Sequence, residues 1–208
     1  MPETWEDQIA HFRAIPWCAK VLSEPGIIAR PPVSRQFDPE NRIFEYWGVT
    51  LHSAATVPFF VGCYHLPASP PHTNDQGPDQ RSLEERFVTK ARFFLTLGHG
   101  LSTSKKEWCH GGVIASIFDE CMGAVGFINK LNGLMPMLPQ VTQTLNITYI
   151  QPVPTMATVA CTAVLKRMEG SRKFVVEAEI TNEEGTILAK AEALFSGVHK
   201  KKDTKEKL

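Results

Sequence analysis

The order of hydrophobic patterns in this 208-residue chain predicts an α+β domain, one long helix followed by an antiparallel meander. Three observations carry that prediction. Beyond Val113, apolar residues recur at Ile114, Ile117, Phe118, Cys121, Val125 and Ile128, the spacing of a helix with a wide buried face. Four downstream runs, 140–151, 155–168, 173–181 and 186–198, have strand character. Glu169-Gly170-Ser171 and Asn182-Glu183-Glu184-Gly185 separate the later runs as hairpin turns. A helix apolar over most of its circumference must be covered on most sides. The expected architecture is therefore an antiparallel sheet wrapped around a long central helix.

The elements follow in order. Residues 3–15 and 17–23 read as short helices separated by Pro16, and Pro31-Pro32 ends them, giving an N-terminal helical extension over 1–40. The run 42–62 holds Phe44, Tyr46, Trp47, Val49, Val57, Phe59, Phe60 and Val61, which predicts extended elements interrupted at Pro58. Residues 67–78 are dense in breakers and read as an ordinary surface loop. The stretch 87–97 reads as a strand ending at Gly98-His99-Gly100. The central helix is expected over 110–130; Asn132-Gly133 stops it, and Pro136 and Pro139 exclude its continuation. The main domain then spans 41–199, and 200–208 is a charged, solvated tail.

Bulk properties narrow the function classes. Lys plus Arg balance Asp plus Glu at 22 each, so nothing points to nucleic acid as a partner. Cys18, Cys63, Cys109, Cys121 and Cys161 are odd in number and form no C-x-x-C pair, which suits reduced intracellular thiols. No unbroken apolar run reaches the roughly 18 residues of a membrane span. The acidic opening from Met1 to Asp7 is unlike a secretory or mitochondrial leader, and Glu206 breaks any likeness to a peroxisomal ending. A cytoplasmic protein with no cofactor and no metal site is expected.

The chemistry concentrates in His110-Gly111-Gly112 and Asp119. Gly112, Ala115, Ser116, Gly123 and Gly126 fall on the strip of helix surface around Asp119, and Lys130 is the only other ionisable group there. Helix propensity does not explain these glycines, since each costs about 1 kcal/mol relative to alanine. The first N–H groups of a helix have no intrahelical acceptor and sit at the positive end of its dipole. An oxyanion on such a preorganised donor gains roughly 3–4 kcal/mol in a transition state. The plainer reading is equally open on spacing alone: His110 caps the helix, the glycines allow close packing, and Asp119 is solvated. Glu120 projects about 100° from the small-residue strip and reads as a rim residue.

His-Gly-Gly followed by Asp at the ninth position after the His resembles the hotdog-fold thioesterases of the phenylacetic-acid-pathway and acyl-CoA thioesterase type. The resemblance extends through Asn146-Ile147-Thr148-Tyr149, Pro152-Val153-Pro154 and Glu169-Gly170-Ser171-Arg172-Lys173-Phe174, and upstream to Gly98-His99-Gly100-Leu101 and Thr50-Leu51-His52. It covers roughly half the chain. It implies a hotdog fold, a homodimer or homotetramer with sites at the subunit boundary, and an acyl-CoA or acyl-carrier-protein thioester as substrate. It also implies roles. Asp119 is base or nucleophile, Gly111 N–H the oxyanion donor and Gly112 the second donor. Thr142 aligns with a family threonine that positions substrate or water, and Thr144 shares its face by the period of two. His110 and Ser116 border the site, with His110 mainly structural. Arg172 and Lys173 match positions that meet coenzyme A phosphates; the alternative is a solvated hairpin tip. Ser104 stands where some relatives place a water-orienting Asn.

One other reading stands beside thioester hydrolysis, and two more are excluded. A hotdog protein could bind acyl thioesters without cleaving them, as a sensor or carrier-protein partner. An α/β-hydrolase is excluded because no Gly-x-Ser-x-Gly elbow exists in the chain. A His–acid dehydratase dyad is excluded too, since His110 and Asp119 lie about 13 Å apart along one helix.

Overall fold

Helix α1 (Trp5–Arg13) starts where Thr4 and Asp7 form a reciprocal capping box, and α2 (Pro16–Leu22) starts on a proline at its first position. The computed structural model of the chain describes residues 4–68, 81–103, 105, 107–170 and 172–198. Seven strands follow: β1 (Ile28–Arg30), β2 (Phe59–Tyr64), β3 (Lys90–Leu97), β4 (Gln140–Tyr149), β5 (Ala157–Glu169), β6 (Lys173–Thr181) and β7 (Ile187–Gly197). They form one sheet in the order β1-β2-β3-β5-β6-β7-β4, and every neighbouring pair is antiparallel. The short helix α3 (Leu83–Arg86) precedes β3, and α4 (Gly111–Leu131) lies between β3 and β4 in sequence.

The sheet curls around α4, which packs against β3, β4, β5, β6 and β7. The apolar positions read from the sequence are the ones that face it. Ile114, Ile117, Phe118, Cys121 and Val125 are buried with Phe93, Val159, Cys161, Val176 and Phe195 from the strands. Asn129 fixes the far end of the helix. Its side chain accepts from Val88 N–H at 2.8 Å and donates to Val88 O and Val125 O at 3.0 and 2.9 Å, so this buried amide is satisfied. By length and composition α4 could also cross a membrane, which the sequence reading did not anticipate from unbroken runs. Here its apolar face is buried by the sheet instead.

The opposite face of the sheet is covered by the N-terminal helices. Ile9, Phe12, Cys18 and Leu22 close a second core over Val61, Cys63, Phe94 and Ala160. The segment before residue 40 is thus more than a helical appendage, because β1 also extends the sheet edge beside β2. Gly98, at the end of β3, lies against the 54–55 backbone: a Cβ there would come within 2.5 Å of the Ala55 carbonyl. Only glycine allows that approach.

The prediction for 42–62 needs correction. Strand structure starts only at Phe59, directly after Pro58, and Tyr46–Thr50 forms a π-helical turn. The aromatic residues that suggested strands are held by tertiary contacts. Trp47 packs on Phe60 with ring centroids 5.4 Å apart. The buried Arg35 guanidinium donates to Trp47 O at 2.8 Å, Leu51 O at 3.4 Å and Val57 O at 2.6 Å, which satisfies carbonyls that a strand would have paired. Arg42 and Phe44 enter this turn in the left-handed region, at φ 53° and 66°. Such conformations cost about 1–3 kcal/mol each and persist only where surrounding contacts impose them.

Candidate active site

The start of α4 is pinned on both sides. His110 N–H donates to Leu101 O at 2.9 Å and Cys109 N–H to Val153 O at 2.8 Å. His110 is the N-cap residue, and its Nδ1 accepts from Gly112 N–H at 2.9 Å. That bond consumes the donor assigned to Gly112. His110 is therefore a capping residue with Nε2 carrying the proton, and Gly112 N–H is not available to a substrate. Gly111 N–H meets no acceptor among the described residues, and Tyr149 Oη donates to the Gly111 carbonyl at 3.0 Å. The helix start thus presents one open donor.

Asp119 is solvent-exposed and accepts from Thr142 Oγ1 at 2.6 Å. The structure brings together the acid and the threonine that the motif paired, across the gap between α4 and β4. Thr142 stands opposite Phe195 in the β4–β7 pairing, so both face the helix. Thr144 does not. A register shift between Thr142 and Thr144 places Thr144 opposite Leu194, while Leu145, opposite Ala193, packs against the core. The extra residue in the bulge reverses the alternation, and Thr144 faces away from α4. The period-of-two placement of Thr144 is corrected accordingly.

Ser116 donates to Gly112 O at 3.0 Å and pairs with Tyr46 Oη at 3.1 Å. The small-residue strip beyond Asp119 is only partly open. Gln140 donates to Gly123 O at 3.1 Å and accepts from Lys130 Nζ at 2.8 Å, while Phe174 lies against Gly126. Gly126 serves packing; the space near Gly123 and Ala124 remains. Burial holds Lys130 below the usual lysine pKa. Ser104 lies outside the described residues. Arg172 and Lys173 are exposed at the β5–β6 hairpin. Lys173 pairs with Ser196, which pairs with Val141 beside Thr142, so the tip lies about 10 Å, two strand spacings, from the Thr142 end of β4.

The sequence reading missed Glu120. It is half-buried rather than open to solvent, lining the cleft beside Asp119 with Ser34 and Arg35 of the N-terminal segment near it. Burial, together with the neighbouring Asp119 charge, pushes its carboxyl up to about 7, against the opposing pull of the Ser34 hydroxyl and the Arg35 guanidinium. Arg35 is itself lowered to about 10, first by burial, with Glu120 acting in the other direction. Glu120, Asp119 and Thr142 border one cleft of about 170 Å³, together with Val33, Phe44 and Phe127. No sequence signal could have found this, because the covering residues lie more than 80 positions upstream.

The comparison with known families bears directly on this region. Residues 108–189 match the family model of the thioesterase superfamily. Over that stretch, about two fifths of its length, the chain is similar to that superfamily. The matched segment holds α4, β4, β5 and β6, hence Gly111, Asp119, Thr142 and Tyr149, and the antiparallel sheet wrapped around α4 is the arrangement expected from the sequence. Acyl-coenzyme A thioesterase THEM4 of Mus musculus is 33% identical over 86 residues, covering 41% of this chain and 34% of that protein. The Rattus norvegicus protein of the same name is 34% identical with the same coverage. The matched part is about a third of the length of these relatives. Among solved structures, the E. coli PaaI protein from the phenylacetic acid degradation operon is 22% identical, covering 53% of this chain and 73% of its own, with a TM-score of 0.43. A hypothetical thioesterase from Streptococcus pneumoniae, solved with coenzyme A, is 19% identical over 55% of this chain and 82% of its own, with a TM-score of 0.45.

Proposed function

We propose that this protein hydrolyses an acyl thioester, of coenzyme A or an acyl carrier protein, to the free acid and the thiol. Asp119 acts as base or nucleophile, oriented by Thr142, and Gly111 N–H binds the developing oxyanion. The observation that carries the reading is the placement of these groups relative to β4. Asp119 meets Thr142 near the start of the strand, and Gly111 meets Tyr149 at its end. Within one chain the two are about 12 Å apart along α4, too far to act on one carbonyl.

A second copy of the chain resolves that distance. β4 is a sheet edge of 10 residues, with Val141 and Tyr149 about half exposed. A long edge left bare is a template for pairing with another strand. Antiparallel pairing of two β4 strands centred between Leu145 and Asn146 sets Thr142 of one copy against Tyr149 of the partner subunit. The Asp119–Thr142 pair then faces the partner's open Gly111 N–H, and each dimer holds two complete sites. Light scattering should show a dimer or a higher even oligomer, and a stable, active monomer would overturn this arrangement. The free state of all five cysteines supports a cytoplasmic location for such an enzyme.

Arg172 and Lys173 are assigned to the phosphates of coenzyme A. Changing both to Ala should raise KM for acyl-coenzyme A several-fold, more at low salt, and leave a short pantetheine thioester unaffected. Equal effects on both substrates would make the pair structural. The reading as a whole is tested by thiol release from acyl-coenzyme A substrates with short, long and aromatic acyl groups. Tight binding without release of thiol from any of them would favour a sensor.

A further inference from the structure

The cleft beside Asp119 does not stop at the reacting groups. From Asp119 it follows the open part of the helix strip past Gly123 and Ala124 to Phe127, about 12 Å along the axis. Phe44 closes it from above, edge-on to Phe127 with ring centroids 6.2 Å apart. Val33 and Phe195 complete the apolar walls. Gln140, the polar side chain at the β4 side, has its amide engaged by Lys130 and Gly123. A second apolar cavity of about 30 Å³ lies beyond, lined by Ile128, Leu131 and Phe93. Val33, Ala124 and Phe127 line both spaces, so they form the partition between them.

From this geometry, and resting on the thioesterase reading above, we propose that the cleft is the acyl pocket and that Phe127 and Phe44 are its end wall, limiting the substrate to a compact acyl group. The cleft, of about 170 Å³, ends at Phe127, about 12 Å along the helix axis from Asp119, so its length sets the limit. A short or medium straight chain fits, as does a single aromatic ring; a chain of sixteen carbons does not. The end wall comes from two distant parts of the sequence. Phe127 belongs to the thioesterase helix, and Phe44 and Val33 belong to the N-terminal region, which places acyl-length control outside the family segment. Phe44 holds a left-handed backbone, at φ 66°, where its ring meets Phe127.

The test compares hexanoyl-, phenylacetyl- and hexadecanoyl-coenzyme A with the wild type, Phe127→Ala and Phe127→Trp. The wild type should favour the two compact substrates. Phe127→Ala opens the partition and should raise the hexadecanoyl-to-hexanoyl ratio of kcat/KM by about tenfold or more, whereas Phe127→Trp should lower it. Phe44→Ala should act in the direction of Phe127→Ala, and the melting temperature of each variant reports whether it folds. A ratio unchanged in all three variants, or a wild type that favours hexadecanoyl-coenzyme A, would overturn the assignment. Calorimetric affinities for the same three thioesters, measured in an Asp119→Asn background, give the same ratios without turnover. If the wild type cleaves nothing, the hydrolase reading fails while those affinities still decide the pocket.

Discussion

Asp119→Asn should lower thioester turnover by at least about 10²-fold, the lower range for a positioned acid–base group, while leaving the fold and thioester binding intact. Asp119 is exposed and its one hydrogen bond among the described residues is the 2.6 Å contact from Thr142. An Asn side chain keeps an oxygen that can accept from the Thr142 hydroxyl. It removes the negative charge and the proton-accepting power that attack on a carbonyl requires, whether Asp119 acts directly or through water. Thr142→Val should cost less, because it releases Asp119 from one orientation without removing its charge. The comparison that decides is hydrolysis rate against binding affinity for the same thioester. Unchanged hydrolysis in Asp119→Asn would remove Asp119 from the mechanism. A loss of melting temperature equal to that of a core mutant would mean the residue is structural.

Glu120 is expected to make the stability of the protein depend on pH in an unusual direction. Its folded-state carboxyl titrates at about 7, against an ordinary value of 4.5, with burial as the leading cause. The folded protein therefore holds this proton more tightly than the unfolded chain. Protonation of Glu120 favours the fold, and that contribution is fully present below pH 4.5 and is lost as the pH rises to about 7. The shift corresponds to at most about 3 kcal/mol at higher pH. Glu120→Gln has the shape of the protonated acid and no charge to bury. It should exceed the wild type in unfolding free energy at pH 8 and match it near pH 4.5, which denaturant titrations at both pH values would show. A variant less stable than the wild type at pH 8 would mean that the Arg35 guanidinium outweighs burial and that Glu120 is held as an anion.

Local periodicity made most of the segment from α4 to β7 legible. The helix expected over 110–130 is Gly111–Leu131, and the runs 140–151, 155–168, 173–181 and 186–198 became β4, β5, β6 and β7 with no end shifted by more than two residues. Each is a long element whose own side chains declare which face is buried, so its pattern survives in isolation. The Asp119–Thr142 pair was legible from the motif, and the geometry joins the two residues. Thr144, Gly112 and the 42–62 region were not. A single bulge residue decides the side of β4 on which Thr144 lies, and nothing in a Thr-Gln-Thr string announces it. The donor assigned to Gly112 is taken by a histidine side chain whose rotamer is set by the packing around it. In 42–62, Arg35 binds three carbonyls and overrides the strand preference of the aromatic residues.

The division has a physical basis. Sequence alone determined the long helix, the meander behind it, the glycine-opened helix start and the acid two turns later, because each depends on residues within a few positions of one another. Only the tertiary structure decided that β4 is the sheet edge among the described residues, with the open Gly111 N–H at one end and Asp119 at the other. Only it decided that the N-terminal segment folds back over α4, half-burying Glu120 and setting Phe44 against Phe127. Those outcomes rest on contacts between residues from 23 to more than 80 positions apart, which are made when separate elements share one core and are invisible to any local pattern.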